Sequence, residues 1–303
     1  MAHKVLIGGT AYAIKGGKTL INGTGYSIKK GRTLINGTGY DINFLTADPV
    51  LNNNDWATIS AISSAGMASN YWSVGDCHEV TLNGTVATCT WTNYSCYAYI
   101  LGFNHNSSLE GSNRIHFQLA KTAQTGGTDV CFTDPYYGDS ESGFRMNTTP
   151  TNSGGWRNSN MRNTLCGTSL TSYSGTFIGV IPAALRAALK SVTKYTNNTG
   201  KNSASSAVTA TTDYIFLLAE YEVFGATTYA NSTEASYQAQ YAYYSAGNSK
   251  IKYKHSDTTT TVFWWLRTPN ASTTYAFVFV NRSGYVGNDA PDYSYGFAPC
   301  FCV

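Results

Sequence analysis

The residues that could carry out chemistry are few in this chain and stand far apart. Its histidines are His3, His78, His105, His116 and His255. Cys77 and His78 are adjacent, and a thiol with an imidazole beside it can act as a nucleophile with its base. Side chains of neighbouring residues in a strand point to opposite faces, however, so these two cannot readily share a proton. We therefore expect the histidines to be core or loop residues.

Two pairs of carboxylates could serve acid–base chemistry. Glu220 and Glu222 lie in the apolar run 217–224, where we expect them to cap or anchor a strand–loop junction. A glycan-degrading enzyme needs two carboxylates facing each other across a cleft, and Asp289 and Asp292 are the candidates for that alternative. The motifs GxSxG, HExxH, the P-loop, and GxGxxG between a strand and a helix do not occur. The sequence predicts a protein that is not an enzyme and has no cofactor.

The cysteines are an odd number spread through a long chain. They are Cys77, Cys89, Cys96, Cys131, Cys166, Cys300 and Cys302. Small secreted domains instead carry a dense and even set of cysteines. No CxxC pair has a histidine at the spacing of a zinc site. We expect reduced, mostly buried thiols and no bound metal.

The composition is that of a folded protein with little charge. Of the 303 residues, 42% are hydrophobic and 12% charged, with a net charge of +3, whereas disordered chains combine low hydrophobicity with high charge. No run of Lys and Arg forms a phosphate track, so nucleic acid is not an expected partner. No apolar stretch has the length of a signal peptide or a membrane span. We expect synthesis in a cytoplasm and no membrane insertion.

The last 36 residues, 268–303, have an unusual composition. They contain no Lys, Gln, Glu, Met or Trp, whereas the preceding 267 residues contain 32 of these, so that about four would be expected. None of these five residue types has a codon ending in C or T. The residues that do occur can all be reached by changing the first two bases of an AAC or AAT codon, the trace that adenine-directed mutagenesis of a row of Asn codons leaves. The alternative is an ordinary Tyr/Ser/Gly-rich loop of an unrelated binding site.

Both interpretations make this segment a recognition surface. Tyr supplies a large, fairly rigid contact area with a polar tip, while Ser, Asn and Gly adapt their hydrogen bonding to different partners. Such variety requires a scaffold whose stability does not depend on the displayed side chains. The apolar residues expected to form that scaffold are Ala276, Phe277, Val278, Val280, Val286 and Phe297.

Residues 1–45 form an internal repeat with a period of 14, which places Tyr12, Tyr26 and Tyr40 at equivalent positions. Each unit holds an apolar pair, a Gly-Gly or Asn-Gly turn signal and a Tyr-x-Ile strand, a pattern typical of a β-meander or β-prism. Three such units bury little apolar surface, so we expect strands of several chains to combine into an oligomeric attachment module. A flexible linker is the alternative, and the regular tyrosines argue against it.

Residues 46–303 read as one α+β domain with long loops. Asp55 is expected to cap a helix in which Trp56, Ile59, Ile62 and Met67 are the apolar positions. A helix is predicted from Pro182 to Tyr195 because Leu185, Ala188, Leu189 and Val192 would form one apolar face. The other predictions are a short helix at 156–166, strands at 79–82 and 97–101, a buried strand or helix start at 213–218, a hairpin at 277–284 and a Tyr-rich insertion at 229–253, with a mainly apolar stretch at 262–267.

Six motifs in this order resemble those of a family of domains in phages and prophages of gut Firmicutes. They are YWSVGD at 71–76, ILGFNH at 100–105, GGWRNSNMR at 154–162, LLAEYEVFG at 217–225, WWLRTP at 264–269 and GFAPCFCV at 296–303. The family is similar to the variable proteins of diversity-generating retroelements, which adopt the C-type-lectin fold shared with formylglycine-generating enzymes. The N-terminal repeats resemble segments of phage structural proteins.

The resemblance implies a C-type-lectin-like domain at 46–303, preceded by a small all-β repeat module at 1–45. It implies a phage tail-associated adhesin, a trimer, that binds a host cell-surface protein or glycan through a hypervariable segment at 268–299 and also contacts other virion tail proteins. Trp264, Trp265, Leu266 and Arg267 would be framework. The implied ligand-binding residues are Asn270, Thr273, Thr274, Tyr275, Asn281, Arg282, Ser283, Tyr285, Gly287, Asn288, Asp289, Asp292, Tyr293 and Tyr295.

Two departures limit what the resemblance carries over. Cys300 and Cys302 do not supply the cysteine pair of the enzymatic relatives, and no Glu-Pro-Asn or Trp-Asn-Asp cluster matches the calcium site of true lectins. Alternatives from other classes are a glycan-degrading virion enzyme and a purely structural virion protein. Under the adhesin hypothesis, Ala at Tyr275, Tyr285, Tyr293 or Tyr295 should abolish binding and leave the melting temperature nearly unchanged.

Overall fold

The computed structural model describes residues 45–133 and 144–303 with their side chains, and within residues 1–44 the backbone of six strands. These strands are β1 (Lys4–Ile7), β2 (Thr10–Ala13), β3 (Gly17–Ile21), β4 (Thr24–Ile28), β5 (Lys30–Ile35) and β6 (Thr38–Asn43). They pair as three antiparallel hairpins, β1 with β2, β3 with β4, and β5 with β6. The short strands predicted for the repeat are confirmed, and its role in oligomeric attachment stays a prediction.

The remainder of the chain mixes strands with short helices. Its strands are β7 (Cys77–Val86), β8 (Cys89–Phe103), β9 (Ile115–Lys121), β10 (Val130–Cys131), β11 (Val192–Asn197), β12 (Val208–Asp213), β13 (Ile215–Phe216), β14 (Lys252–Lys254), β15 (Asp257–Val262), β16 (Trp264–Pro269), β17 (Phe277–Val280), β18 (Val286–Asp289) and β19 (Cys300–Cys302). Its helices are α1 (Trp56–Ser64), α2 (Ser107–Glu110), α3 (Gly155–Asn158), α4 (Phe177–Val180), α5 (Ala183–Ala188), α6 (Glu220–Phe224) and α7 (Ala242–Ser245), with a π-helix at Met161–Cys166 and 3-10 turns at Leu51–Asn53, Ala68–Asn70, Ser205–Ala207 and Ser232–Ser236. The predicted α+β class is confirmed.

The main sheet has five antiparallel strands in the order β13-β19-β9-β8-β7. β7 and β8 confirm the strands predicted at 79–82 and 97–101. Of the two possibilities for 213–218, the structure has the buried strand, β13. β19 lies between β13 and β9, where Phe301 pairs with Ile215 on one side and with Phe117 on the other. All three residues of β19 are buried. The last strand of the chain therefore belongs to the core.

A second sheet, in the order β16-β17-β18, carries the C-terminal segment. It confirms the hairpin predicted from 277, and β16 includes most of the apolar stretch 262–267. β16 pairs with β17 through Trp264 and Val280, and the Trp265 backbone N–H donates to the Gly296 carbonyl at 3.0 Å. The four framework residues at 264–267 are fully buried, as predicted.

Helix α1 begins as predicted. The Asp55 carboxylate accepts the Thr58 backbone N–H at 2.6 Å, which satisfies one of the free donors of the first turn. Trp56, Ile59 and Ile62 are buried. The helix ends at Ser64, so Met67, although buried, lies beyond it.

The helix predicted from Pro182 to Tyr195 is wrong in its second half. α5 ends at Ala188, Leu189 has an extended ψ of 132°, and the chain then forms β11. β11 pairs with β12 through all six of its residues, from Val192 opposite Asp213 to Asn197 opposite Val208. β-Branched and aromatic residues favour a strand once a partner is present, and β12, the next strand along the chain, is that partner.

The Tyr-rich segment 229–253 packs onto the main sheet. Tyr241 and Tyr244 are buried, and their hydroxyls lie 2.9 Å from His116 Nδ1 and 2.6 Å from Gln118 Oε1. What the sequence presents as an insertion is thus part of the core. In the part of the chain that the structure describes, no helix is both long enough and apolar enough to span a membrane.

Candidate ligand-binding surface

The C-terminal hairpin is held by its own backbone. β17 is buried along its whole length, whereas β18 is an edge strand and is half-buried. At the turn, Asn281 Oδ1 accepts the backbone N–H groups of Ser283 and Tyr285, both at 2.9 Å. Such an Asx turn satisfies the backbone locally. The side chain of Asn281 therefore shapes the hairpin instead of being offered to a ligand.

Aromatic rings support the hairpin from beneath. Tyr295 is only 5% exposed, and its ring centroid lies 4.7 Å from that of Trp265, 5.1 Å from that of Phe263 and 5.4 Å from that of Phe279. Its hydroxyl donates to Asp289 Oδ2 at 2.6 Å. A buried tyrosine whose hydroxyl has a partner is a core residue. The prediction that Tyr295 is displayed is wrong, and its burial among these rings argues that its loss would lower stability.

Three tyrosines project from this hairpin and its flanks. Tyr285 is 70% exposed, Tyr275 56% and Tyr293 38%. Across residues 45–133 and 144–303, every other aromatic side chain is buried or half-buried. Tyr285 follows the hairpin turn, while Tyr275 precedes β17 and Tyr293 follows β18. Because β17 and β18 are antiparallel, the two latter residues lie at the same end of the hairpin.

The predicted ligand-binding residues divide by exposure. We call the exposed group the display surface: Thr274, Tyr275, Arg282, Ser283, Tyr285 and Tyr293. Half-buried are Thr273, Asn281, Gly287, Asn288, Asp289 and Asp292. Asn270 and Tyr295 are buried. The structure thus brings about half of the predicted set to the surface and uses much of the rest to support it.

Asn270 is buried because it closes the loop before β17. Its side-chain amide donates to Asn288 Oδ1 at 3.0 Å and its oxygen accepts the Ser272 backbone N–H at 2.7 Å. From outside the loop, Asn152 Nδ2 donates to the carbonyls of Asn270, Thr273 and Ala276 at 2.9–3.0 Å. The prediction that Asn270 is displayed is therefore wrong. Its side chain forms hydrogen bonds with polar groups that are buried away from water.

Gly287 is also fixed by packing. A Cβ built on it would lie 2.6 Å from two ring carbons of Phe279, the residue opposite it in β17. Atoms at that distance overlap, so any larger side chain forces the ring or the strand to move. Gly287 therefore holds the hairpin together and is not a freely variable position.

A buried ionic cluster lies under the second sheet. Arg267 donates from two guanidinium nitrogens to the two carboxylate oxygens of Glu222, at 2.5 and 2.8 Å. Both side chains have no exposed surface. Although burial acts to raise it, the charges of Arg267 and Lys194 hold the pKa of Glu222 below its ordinary value. The ion pair joins β16 to α6. Each buried charge has an oppositely charged, hydrogen-bonded partner, without which its burial would be costly.

The same cluster contains a set of side chains that could hold a metal ion. One ligand atom each of His105, Glu110 and Glu222 lies within 4.8 Å of the others. Lys194 Nζ, however, lies 2.7 Å from Glu110 and 3.0 Å from Glu222. The ammonium group thus occupies the place of a cation between the two carboxylates. Burial raises the pKa of Glu110 to about 7 and lowers that of His105 to about 3.

The other candidates for chemistry have structural contacts. The Glu220 carboxylate accepts the backbone N–H groups of Thr228 and Ala230 at 2.5 and 2.7 Å, which confirms its anchoring role. His78 Nε2 lies 2.6 Å from the carbonyl oxygen of Asn54, and the adjacent Cys77 thiol donates to the Gly75 carbonyl. No shared hydrogen bond joins the neighbouring thiol and imidazole.

All seven cysteines are buried, as predicted. Burial raises the pKa of the Cys77 thiol to about 11 and that of Cys302 to about 12. A thiol needs to ionise near neutral pH to act as a nucleophile. These cysteines are therefore packing residues.

Sequence reasoning missed a polar groove beside the display surface. Its volume is about 280 Å³, and all of its lining residues, which fall between 147 and 164, are Asn, Ser or Thr. The Asn/Ser/Thr-rich composition of that stretch was the available signal. A composition alone does not say whether such side chains point into a groove or cap turns.

The fold and this surface define a mixed α+β protein with an exposed tyrosine face. Residues 137–303 match the family DUF6273, described as a domain of unknown function. The match covers more than half of the chain, which therefore belongs to this family. It includes the display surface, the groove and the β16-β17-β18 sheet. No curated protein and no solved structure matches the chain.

Proposed function

We propose that this chain is a receptor-binding adhesin that recognises a host cell-surface molecule through the display surface. One observation carries the proposal: the exposed aromatic side chains of the described residues are Tyr275, Tyr285 and Tyr293, all in the C-terminal segment. Folding normally buries part of a tyrosine ring, and exposed tyrosines are enriched where proteins bind partners. The backbone beneath them is held by contacts that do not involve these rings.

The finer parts of the proposal rest on the sequence. The absence of five residue types from 268–303 fits a segment diversified by a retroelement, and the motif resemblance favours a C-type-lectin-like domain on a trimeric phage tail protein. The difference in exposure among the predicted ligand-binding residues supports diversification of the segment. Exposed positions tolerate substitution, whereas positions such as Gly287 do not. Locus sequencing tests it: a near-copy of the last coding segment should lie beside a reverse-transcriptase gene. Changes between copies should fall at the display surface and spare Gly287.

Binding to bacterial cells tests the adhesin role directly. The full chain, fluorescently labelled, should bind the surface of a host strain. The triple variant Tyr275→Ala, Tyr285→Ala, Tyr293→Ala should bind at least about 100-fold more weakly, because aromatic side chains that become buried in an interface each contribute strongly to affinity. Val74→Ala is the matched control, because Val74 is exposed but lies outside the segment. Equal binding by the triple variant and the parent protein would contradict the proposal.

A further inference from the structure

The polar groove at 147–164 is joined by its backbone to the display surface. The Asn147 backbone N–H donates to the Pro291 carbonyl at 2.9 Å, and the Asn152 backbone N–H donates to the Thr274 carbonyl at 2.9 Å. Pro291 lies two residues before Tyr293, and Thr274 immediately precedes Tyr275. The groove therefore borders the end of the hairpin where these two exposed tyrosines lie.

The groove has no charged and no apolar lining among the residues that the structure describes. An apolar anchor of a protein partner needs an apolar pocket, and a phosphate or carboxylate needs cationic side chains or a cluster of N–H groups. The groove offers neither. Its lining consists of amides and hydroxyls, which both donate and accept hydrogen bonds.

Several of these polar groups are free to bind a ligand. Thr148, Ser153, Asn158 and Thr164 are exposed, and their side chains make no hydrogen bond with any other described residue. Others are already used within the loop: Asn147 Oδ1 accepts the Asn160 backbone N–H at 3.0 Å. All of them line the groove: the fixed members hold its shape, and the others can offer their amide or hydroxyl groups to a ligand.

We propose that this groove, together with Tyr275 and Tyr293, binds a neutral oligosaccharide. This inference rests on the proposed function and names its ligand class. A neutral sugar presents hydroxyls that match amide and hydroxyl side chains, and its apolar C–H faces pack on aromatic rings. The volume of about 280 Å³ is near the lower end of the roughly 300–1,000 Å³ of small-molecule sites, which suits a short segment of a glycan chain.

Glycan binding by the full chain tests the inference. The probes are neutral oligomers of glucose, galactose, mannose and N-acetylglucosamine, with uronic-acid and sialic-acid oligomers as the acidic comparison. We expect a neutral oligomer to bind, and Asn158→Ala and Thr164→Val each to weaken it by about fivefold, the effect of one lost hydrogen bond. Raising NaCl from 0.1 to 0.5 M should leave the affinity within about twofold, since no charge lines the groove.

Matched controls separate a lost contact from a general effect. Asn53→Ala and Thr258→Val remove the same groups at exposed positions outside the groove and should leave affinity and melting temperature unchanged. Three results would each overturn the inference. They are binding of acidic oligomers alone, unaltered binding by both groove variants, and no oligosaccharide binding by a chain that still binds host cells through its tyrosines. The last result would leave the adhesin proposal standing. If the triple tyrosine variant bound host cells as well as the parent protein, the adhesin proposal itself would be contradicted.

Discussion

The ring of Phe279 packs against the backbone of Gly287 across the β17–β18 pair, so closely that a Cβ on Gly287 would overlap two of its carbons. Gly287 lies in the segment 268–303 that lacks five residue types, yet its position admits no larger side chain without rearrangement. Within one segment, therefore, some residues are exposed on the display surface while others, such as Gly287, keep the hairpin folded.

We predict that Gly287→Ala lowers the free energy of unfolding by about 1–3 kcal/mol, the usual cost of overpacking. Denaturant unfolding measures this change. Phe279→Leu should be destabilising alone but should reduce the cost of Gly287→Ala, and a double-mutant cycle would show that coupling. Additive effects of the two changes would contradict the steric explanation.

Tyr285 and Tyr295 should behave in opposite ways when replaced by alanine. Tyr285→Ala should change the free energy of unfolding by no more than about 0.5 kcal/mol, because its ring is mostly exposed. Tyr295→Ala should cost about 3 kcal/mol, because it empties a site among three aromatic rings. Thermal and denaturant melts measure both. Similar stability losses for the two variants would place Tyr285 in the core and remove it from the display surface.

The Arg267–Glu222 pair should be essential for stability. Arg267→Met leaves a carboxylate buried with only Lys194 and its backbone partner, and removing one partner of a buried ion pair costs about 3–5 kcal/mol. Arg157→Met is the control, because Arg157 is exposed and should contribute less than about 1 kcal/mol. A stability of Arg267→Met equal to that of the control would show that the pair is dispensable.

Glu234 should make stability depend on pH. Burial raises its pKa from an ordinary value of 4.5 to about 7, so its contribution to stability is fully present below pH 4.5 and is lost as pH rises through 7. Glu234→Gln removes this titration. The stability of the parent protein relative to this variant should fall by about 3 kcal/mol between pH 4.5 and 8. Parallel stability curves for the two proteins would show that Glu234 does not titrate in that range.

The thiols should be unreactive in the folded protein. All seven cysteines are buried, and burial raises the pKa of Cys96 and that of Cys131 to about 12. A thiol-disulfide reagent at pH 8 should therefore react only after the protein unfolds, and should then titrate all seven. Rapid reaction of one thiol in the native state would identify a cysteine whose role goes beyond packing.

Local signals in the sequence predicted several elements correctly. Asp55 begins α1 because a carboxylate before an apolar helix accepts a backbone N–H three residues on. The 14-residue repeat predicted strands that the hairpins confirm. The prediction failed at residues 189–195, where the spacing of Leu185, Ala188 and Val192 fits a helix face. β12, the next strand along the chain, pairs with residues 192–197 instead, and the spacing of apolar residues within one segment does not reveal that it will pair with the next.

The sequence by itself determined the α+β class, the burial of the cysteines and the unusual composition of the C-terminal segment, because each follows from residue types and their order. Only the tertiary structure decided that Tyr293 is exposed and Tyr295 buried, although the two are separated by one residue. It also decided that Arg267 pairs with Glu222 and that the stretch at 147–164 lines a groove beside the tyrosines. These properties depend on contacts between residues far apart in the chain, and those contacts exist only once the sheets have packed.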